Sequence, residues 1–228
     1  MKKGELRRQS ILDVAERLFY GKGYVSTSIQ DLIDTLGCSK GSFYHHFESK
    51  LQLLTEMSRD RAQKAYAEYE KSAPNDPLGR LNAMLYCAMP FREGGEAAVA
   101  LMLPLEGTPE SGVVREAELE AQAALFYPEF LKLLSMCRAA QAVHYAQPML
   151  PVLLWDAYTA LYKRLMQCAK GLLSGEGDPA SVREALEAER FMLERLLDAP
   201  FGSIIIVRAD EALSVMHHAV NHIKALAE

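Results

Sequence analysis

The sequence predicts an all-α fold, and three observations carry the prediction. Apolar residues recur at helical spacing, as in Ile29, Leu32, Ile33 and Leu36, or Leu154, Tyr158, Leu161 and Leu165. Gly and Pro fall between such stretches and punctuate them. The single short β-branched run, Ile204-Ile205-Ile206-Val207, reads as a buried extended segment.

The elements follow in order. A first helix is expected over roughly Glu5 to Gly21, with Ile11, Val14, Ala15, Leu18 and Phe19 facing the core. Thr27 is a good N-cap for the second, and Gln30, three residues on, completes a capping box. Ile29, Leu32, Ile33 and Leu36 make one apolar face, and Gly37 is the natural left-handed stop. Ser39 caps a third helix after a turn of about three residues. In it Phe43 and Phe47 point inward as i, i+4 partners, leaving Lys40, Ser42, Tyr44, His45 and His46 on the outer and flanking faces. Gly41 has no side chain, so this helix can approach a nucleic-acid backbone closely. Two short helices around such a turn form a helix-turn-helix, whose second helix enters the major groove of DNA.

A fourth helix begins near Ser49-Lys50 and runs to about Lys71, with Arg59, Arg61 and Lys64 expected in solvent. Pro74-Asn75-Asp76-Pro77 breaks it, which divides the chain into a head (1–50), a connecting helix (51–73) and a helical remainder (74–228). Helices are then expected over Pro77 to Phe91, Glu96 to Leu103 and Glu110 to Tyr127. Pro128 either kinks the last of these or opens a new helix to about Val143. Two long helices follow, joined by Ser174-Gly175-Glu176-Gly177-Asp178-Pro179, so they should lie antiparallel. Asp210 caps a plausible last helix with Leu213, Met216, Val220, Ile223 and Leu226 on one face; it should cover a surface of the remainder or enlarge a dimer interface.

Composition agrees. Half of the 228 residues are apolar, which suits a globular chain with a substantial core. No apolar run approaches the roughly 20 residues of a membrane span, and no apolar stretch follows Lys2 and Lys3 as a secretory leader would require. The four cysteines, Cys38, Cys87, Cys137 and Cys168, are scattered and read as reduced thiols of a cytoplasmic protein. The net charge of −5 argues against DNA until it is divided: residues 1–64 carry +3 and residues 65–228 carry −8. The head therefore presents a basic field, from Lys2, Lys3, Arg7, Arg8, Lys22, Lys40 and Lys50.

The head resembles the DNA-binding domain of TetR-family transcriptional regulators. The residues that carry the resemblance are Ile11-Leu12-Asp13-Val14-Ala15-Glu16-Arg17-Leu18-Phe19, Gly23-Tyr24, Thr27-Ser28-Ile29, and Ser39-Lys40-Gly41-Ser42-Phe43-Tyr44-His45-His46-Phe47 with Lys50. Asp34 departs from the small residue usual there. The resemblance implies DNA contact by Thr27, Ser39, Lys40, Gly41, Ser42, Tyr44, His45 and Lys50. Tyr44 and Lys50 should meet phosphates, and Lys40, Ser42 and His45 base edges or their flanks. It also implies that the remainder is a helical ligand-binding and dimerisation domain. The two long helices would then form a four-helix bundle with a second copy, with Leu161, Leu165, Leu193 and Leu196 at or just behind the two-fold interface. Large side chains cluster in the middle, and the expected pocket is Met84, Tyr86, Phe91, Met102, Phe126, Phe130, Trp155, Tyr158 and Tyr162, with His144 and Glu106 among its polar handles.

The expectation is a homodimeric repressor released from a double-stranded DNA operator by a small, largely apolar effector. The alternative is a constitutive or protein-partnered helix-turn-helix binder without a sensor. No cofactor and no enzymatic activity are expected, because the sequence carries none of HExxH, GxGxxG, GxxxxGK[ST] or GxSxG. His218 and His222 are i, i+4, but two ligands do not make a metal site.

Overall fold

The computed structural model describes residues 3–227 and, among them, ten α-helices and no strand. In chain order they are α1 (Lys3–Lys22), α2 (Ile29–Leu36), α3 (Lys40–Tyr44), α4 (Lys50–Ser72), α5 (Pro77–Ala88), α6 (Glu96–Met102), α7 (Pro109–Ala139), α8 (Leu150–Ser174), α9 (Ala180–Leu196) and α10 (Ala209–Ala227). Lys2 lies outside the described residues.

The head is built on one apolar core. Ile11, Ala15 and Phe19 of α1, Leu32 of α2, Phe43 of α3 and Phe47 in the next turn are all buried. The cap of α2 differs from the expectation by one residue. Ser28 is the N-cap: its hydroxyl accepts the Asp31 N–H at 3.1 Å, and the Asp31 carboxylate accepts the Ser28 N–H at 2.7 Å. Thr27 is only 1 % exposed, and its hydroxyl donates to the Gly23 carbonyl at 2.7 Å. Both residues are good caps with a suitable partner three positions on, and the inward pull on Thr27 decides between them. Gly37, at φ 58, ends α2 in the left-handed region, and the Ser39 hydroxyl accepts the Ser42 N–H at 3.1 Å to cap α3.

Helix α4 packs on α1 at one end and on α5 and α7 at the other. Arg59 and Lys64 are exposed as expected, but Arg61 is half-buried and turned against α7. Helix α5 ends at Ala88 rather than Phe91, because Met89 precedes Pro90 and is extended, with φ −92 and ψ 124. Helix α7 runs unbroken through Pro128. Pro128 and Ala124 are both exposed, so the carbonyl that loses its helical donor faces water.

Residues 204–207 form no strand. Their backbone is satisfied by side chains: Glu194 accepts the Ile204 N–H at 3.2 Å, and Asn82 accepts the Ile205 N–H at 3.0 Å while donating to the Ser203 carbonyl at 2.8 Å. Ile204, Ile206 and Val207 are buried. Helix α10 begins at Ala209, with Asp210 in its first turn rather than at its cap. It covers α6, α8 and α9 and reaches the head, where His222 stacks on Tyr20 at 3.8 Å between ring centroids.

Candidate nucleic-acid interface and helical-domain cavity

Helix α3 is held from behind and presented from the front. Phe43 and Phe47 anchor it, while Ser39, Lys40, Gly41, Tyr44 and His45 are exposed and Ser42 is half-buried. The Lys40 ammonium lies 5.9 Å from the Tyr44 ring centroid. No side chain or distant backbone lies within 4 Å of the Cβ position at Gly41, so its face is open. An open groove runs beside this face between α1 and α3, lined by Leu6, Arg7, Ser10, Cys38, Ser39 and Ser42. Ser10 and Cys38 were not singled out from the sequence, because nothing local reveals that α1 and α3 meet there.

Two residues of the expected contact set serve the fold. Thr27 is buried as described. The Lys50 ammonium donates to the carbonyls of Tyr24 at 2.8 Å and Thr27 at 3.0 Å, with Val25 at 3.4 Å, and lies 4.3 Å from the Tyr24 ring centroid. Burial lowers its pKa from the ordinary lysine value. Its charge is thus committed to the α1–α2 connection. Two other cations of the head are paired: Lys22 with Asp31 at 2.9 Å, and Arg8 with Glu56.

In the helical remainder, Met84, Phe91, Met102, Phe126, Phe130, Trp155, Tyr158 and Tyr162 are buried, and Tyr86 is half-buried. They pack on one another as core: Trp155 lies 5.5 Å from Phe130 and 5.8 Å from Tyr158, and Phe91 lies 6.0 Å from Tyr162. The Tyr158 hydroxyl donates to the Leu85 carbonyl at 2.5 Å, and the Tyr86 hydroxyl to Glu211 at 2.6 Å. None of these nine residues lines the described cavities. Glu106 is bound to Arg115 at 2.6 Å, and His144 is exposed. A cavity of about 340 Å³ opens one layer out, between α4, the 89–95 loop and α7, lined in part by Arg61, Ala65, Met89, Glu118 and Gln122.

Leu161, Leu165 and Leu193 are fully buried in the seam between α8 and α9, so they hold one protomer together. Leu196 is 46 % exposed, as are its neighbour Phe191 at 53 % and Leu153 on α8 at 59 %. No helix among the described residues is long and apolar enough to cross a membrane.

Residues 11–57 match the family model of the bacterial regulatory proteins of the TetR family. The chain is 30 % identical over 97 residues to the transcriptional repressor KstR2 of Mycolicibacterium smegmatis, covering 42 % of this chain and 47 % of that protein. It is 38 % identical over 81 residues to the regulator AcrR of Shigella flexneri, covering 34 % and 38 %. The matches thus span about half or less of these curated relatives. Salmonella enterica GusR superposes with a TM-score of 0.58 at 18 % identity, over 87 % of this chain and 99 % of that one, a likeness of fold. The capped helix-turn-helix, its exposed α3 face and these matches agree: residues 11–57 are similar to the DNA-binding head of the TetR-family transcriptional regulators, on a chain whose overall fold is like theirs.

Proposed function

We propose that this chain is a homodimeric repressor that reads its operator with α3 and leaves it when a small molecule enters the sensor half. The observation that carries the reading is the α3 face, where Lys40, Tyr44 and His45 are exposed together while Phe43 and Phe47 fix the helix. Residues 1–50 act as the reader, 51–73 as the rod and 74–228 as the sensor and dimerisation domain. Helix α4 supports the coupling because it packs on both halves. A ligand that favours one sensor arrangement over another would reset the separation of the two readers through that rod.

The exposed apolar side chains of α8 and α9 support the dimer, with Phe191 and Leu196 at its surface and Leu161, Leu165 and Leu193 behind it. A constitutive binder is the second reading, and the solid packing of the Trp155 cluster favours it. A binding selection from random duplex DNA, followed by fluorescence anisotropy and sedimentation, tests these points together. Lys40→Ala should weaken binding at least tenfold, about 1.4 kcal/mol. Phe191→Glu should yield a folded monomer that no longer retains the operator. Full affinity in Lys40→Ala removes α3 from the contact, and an intact Phe191→Glu dimer places the interface elsewhere.

A further inference from the structure

The cavity between α4, the 89–95 loop and α7 carries an unusual pair of charges. Arg61 of α4 donates from Nη2 to the Ser58 hydroxyl at 2.8 Å, but its Nε and Nη1 are buried and have no partner. Across the cavity, Glu118 of α7 is 7 % exposed, and among the described residues its side chain accepts one long hydrogen bond of 3.5 Å from the Tyr162 hydroxyl. The two side chains influence each other electrostatically, yet among the described residues they form no hydrogen bond or ion pair with one another. At the mouth Arg92 grips Glu68 at 2.7 Å, Lys64 meets Asp60 at 2.7 Å, and Glu93 is exposed to water.

What remains inside is therefore two unclaimed donors and one under-used carboxylate, of opposite charge and zero sum. A charged ligand would leave one net charge buried and uncompensated, which is costly. A neutral head that both accepts and donates satisfies both walls. Ala62, Ala65, Met89, Pro90 and Ala98 supply an apolar lining for the rest of the molecule. We infer that this cavity binds a neutral small molecule with a carboxamide-type head, its carbonyl accepting from Arg61 and its N–H donating to Glu118. The inference rests on the reading of residues 74–228 as a ligand sensor and names the chemistry of the ligand.

Isothermal titration of the full chain with benzamide, sodium benzoate and benzylamine tests it, with thermal melts to confirm that each variant is folded. These probes share one ring and differ in head charge. Benzamide should bind most tightly, at about millimolar Kd or better for so few atoms. Arg61→Met should weaken it at least tenfold. Glu118→Gln keeps an acceptor but leaves the site positive, so benzamide should bind within about threefold of wild type while benzoate gains and overtakes it. Tighter binding of benzoate or benzylamine to the wild-type chain, no binding of any probe, or benzamide binding indifferent to Arg61→Met would overturn the assignment. Operator anisotropy with each probe keeps the two claims apart. Benzamide that binds without moving operator affinity sinks the release mechanism alone. Release by a compound that ignores Arg61 and Glu118 sinks only this site.

Discussion

The two halves of the molecule bury polar groups in opposite ways. In the head and the start of α4 the buried polar side chains are Thr27, Thr55 and Ser58, all hydroxyls. Each donates to a nearby backbone carbonyl, on Gly23, Gln52 and Leu54 respectively. In the helical remainder the buried polar groups include four carboxylates, Glu118, Glu129, Glu189 and Glu194. Three of these cross-link helices: Glu129 of α7 accepts from Tyr69 of α4 at 2.8 Å, Glu189 of α9 pairs with Arg164 of α8, and Glu118 of α7 faces Tyr162 of α8. Local hydroxyl bonds tie the head's buried polar groups to the backbone of their own segment. Buried charges between helices add little net stability but specify how the helices meet, and they can be traded for other partners. The buried polar groups of residues 1–58 are thus satisfied within their own segment, whereas those of the helical remainder are satisfied between helices.

The sharpest way to break that comparison is to empty the head's core. Phe47→Ala should cost about 3–5 kcal/mol, because a fully buried ring leaves a cavity that its neighbours fill only partly. DNA binding should vanish with it. A small loss, measured by chemical denaturation, would mean that the head is loosely packed.

A smaller effect is expected at Lys50, where two roles can be separated. Lys50→Met leaves the Tyr24 and Thr27 carbonyls without their donor and should cost about 2 kcal/mol. If Lys50 acts by pinning the α1–α2 connection, operator affinity falls while its salt dependence keeps the same slope. A slope reduced by about one phosphate's worth would restore Lys50 to the DNA backbone.

The smallest effect should appear in the helical remainder and depend on pH. Burial raises the Glu118 carboxyl above its ordinary value, against the pull of Arg61, the Tyr162 hydroxyl and Arg115. The folded state therefore holds this proton more tightly than the unfolded chain, whose Glu titrates near about 4.3. Stability from this group is complete at low pH and is lost as pH rises through the folded value. Glu118→Gln has no such proton to lose, so its melting temperature relative to wild type should climb by about 1–3 °C between about pH 5 and pH 8. A difference that stays flat or shrinks would show that Glu118 is better compensated than its neighbours suggest.

How much of this was legible in the sequence differs by region. The helix-turn-helix was, because Gly37, Ser39, Phe43 and Phe47 act through contacts only a few residues apart. The cap of α2 was misread by one position: Thr27 and Ser28 are equivalent locally, and only the carbonyls of Gly23 and Leu18 draw Thr27 inward. Arg61 was read as solvated because its own helix offers it only the Ser58 hydroxyl. Its surroundings come from α7, far along the chain. The aromatic residues of the middle were recognised as large and inward-facing, but composition does not distinguish a lined cavity from a filled core.

By itself the sequence determined the all-α class, the boundaries of most helices and the reading head, since periodicity, capping and punctuation act within a turn or two of helix. Only the tertiary structure decided which large side chains interlock around Trp155, that Asn82 and Glu194 complete the backbone of residues 203–205, and that α10 folds back so that His222 meets Tyr20. It also decided that Arg61 and Glu118 confront each other across a void. These features join residues tens to hundreds of positions apart, and the packing of whole helices, rather than any local preference, brings such residues within bonding distance.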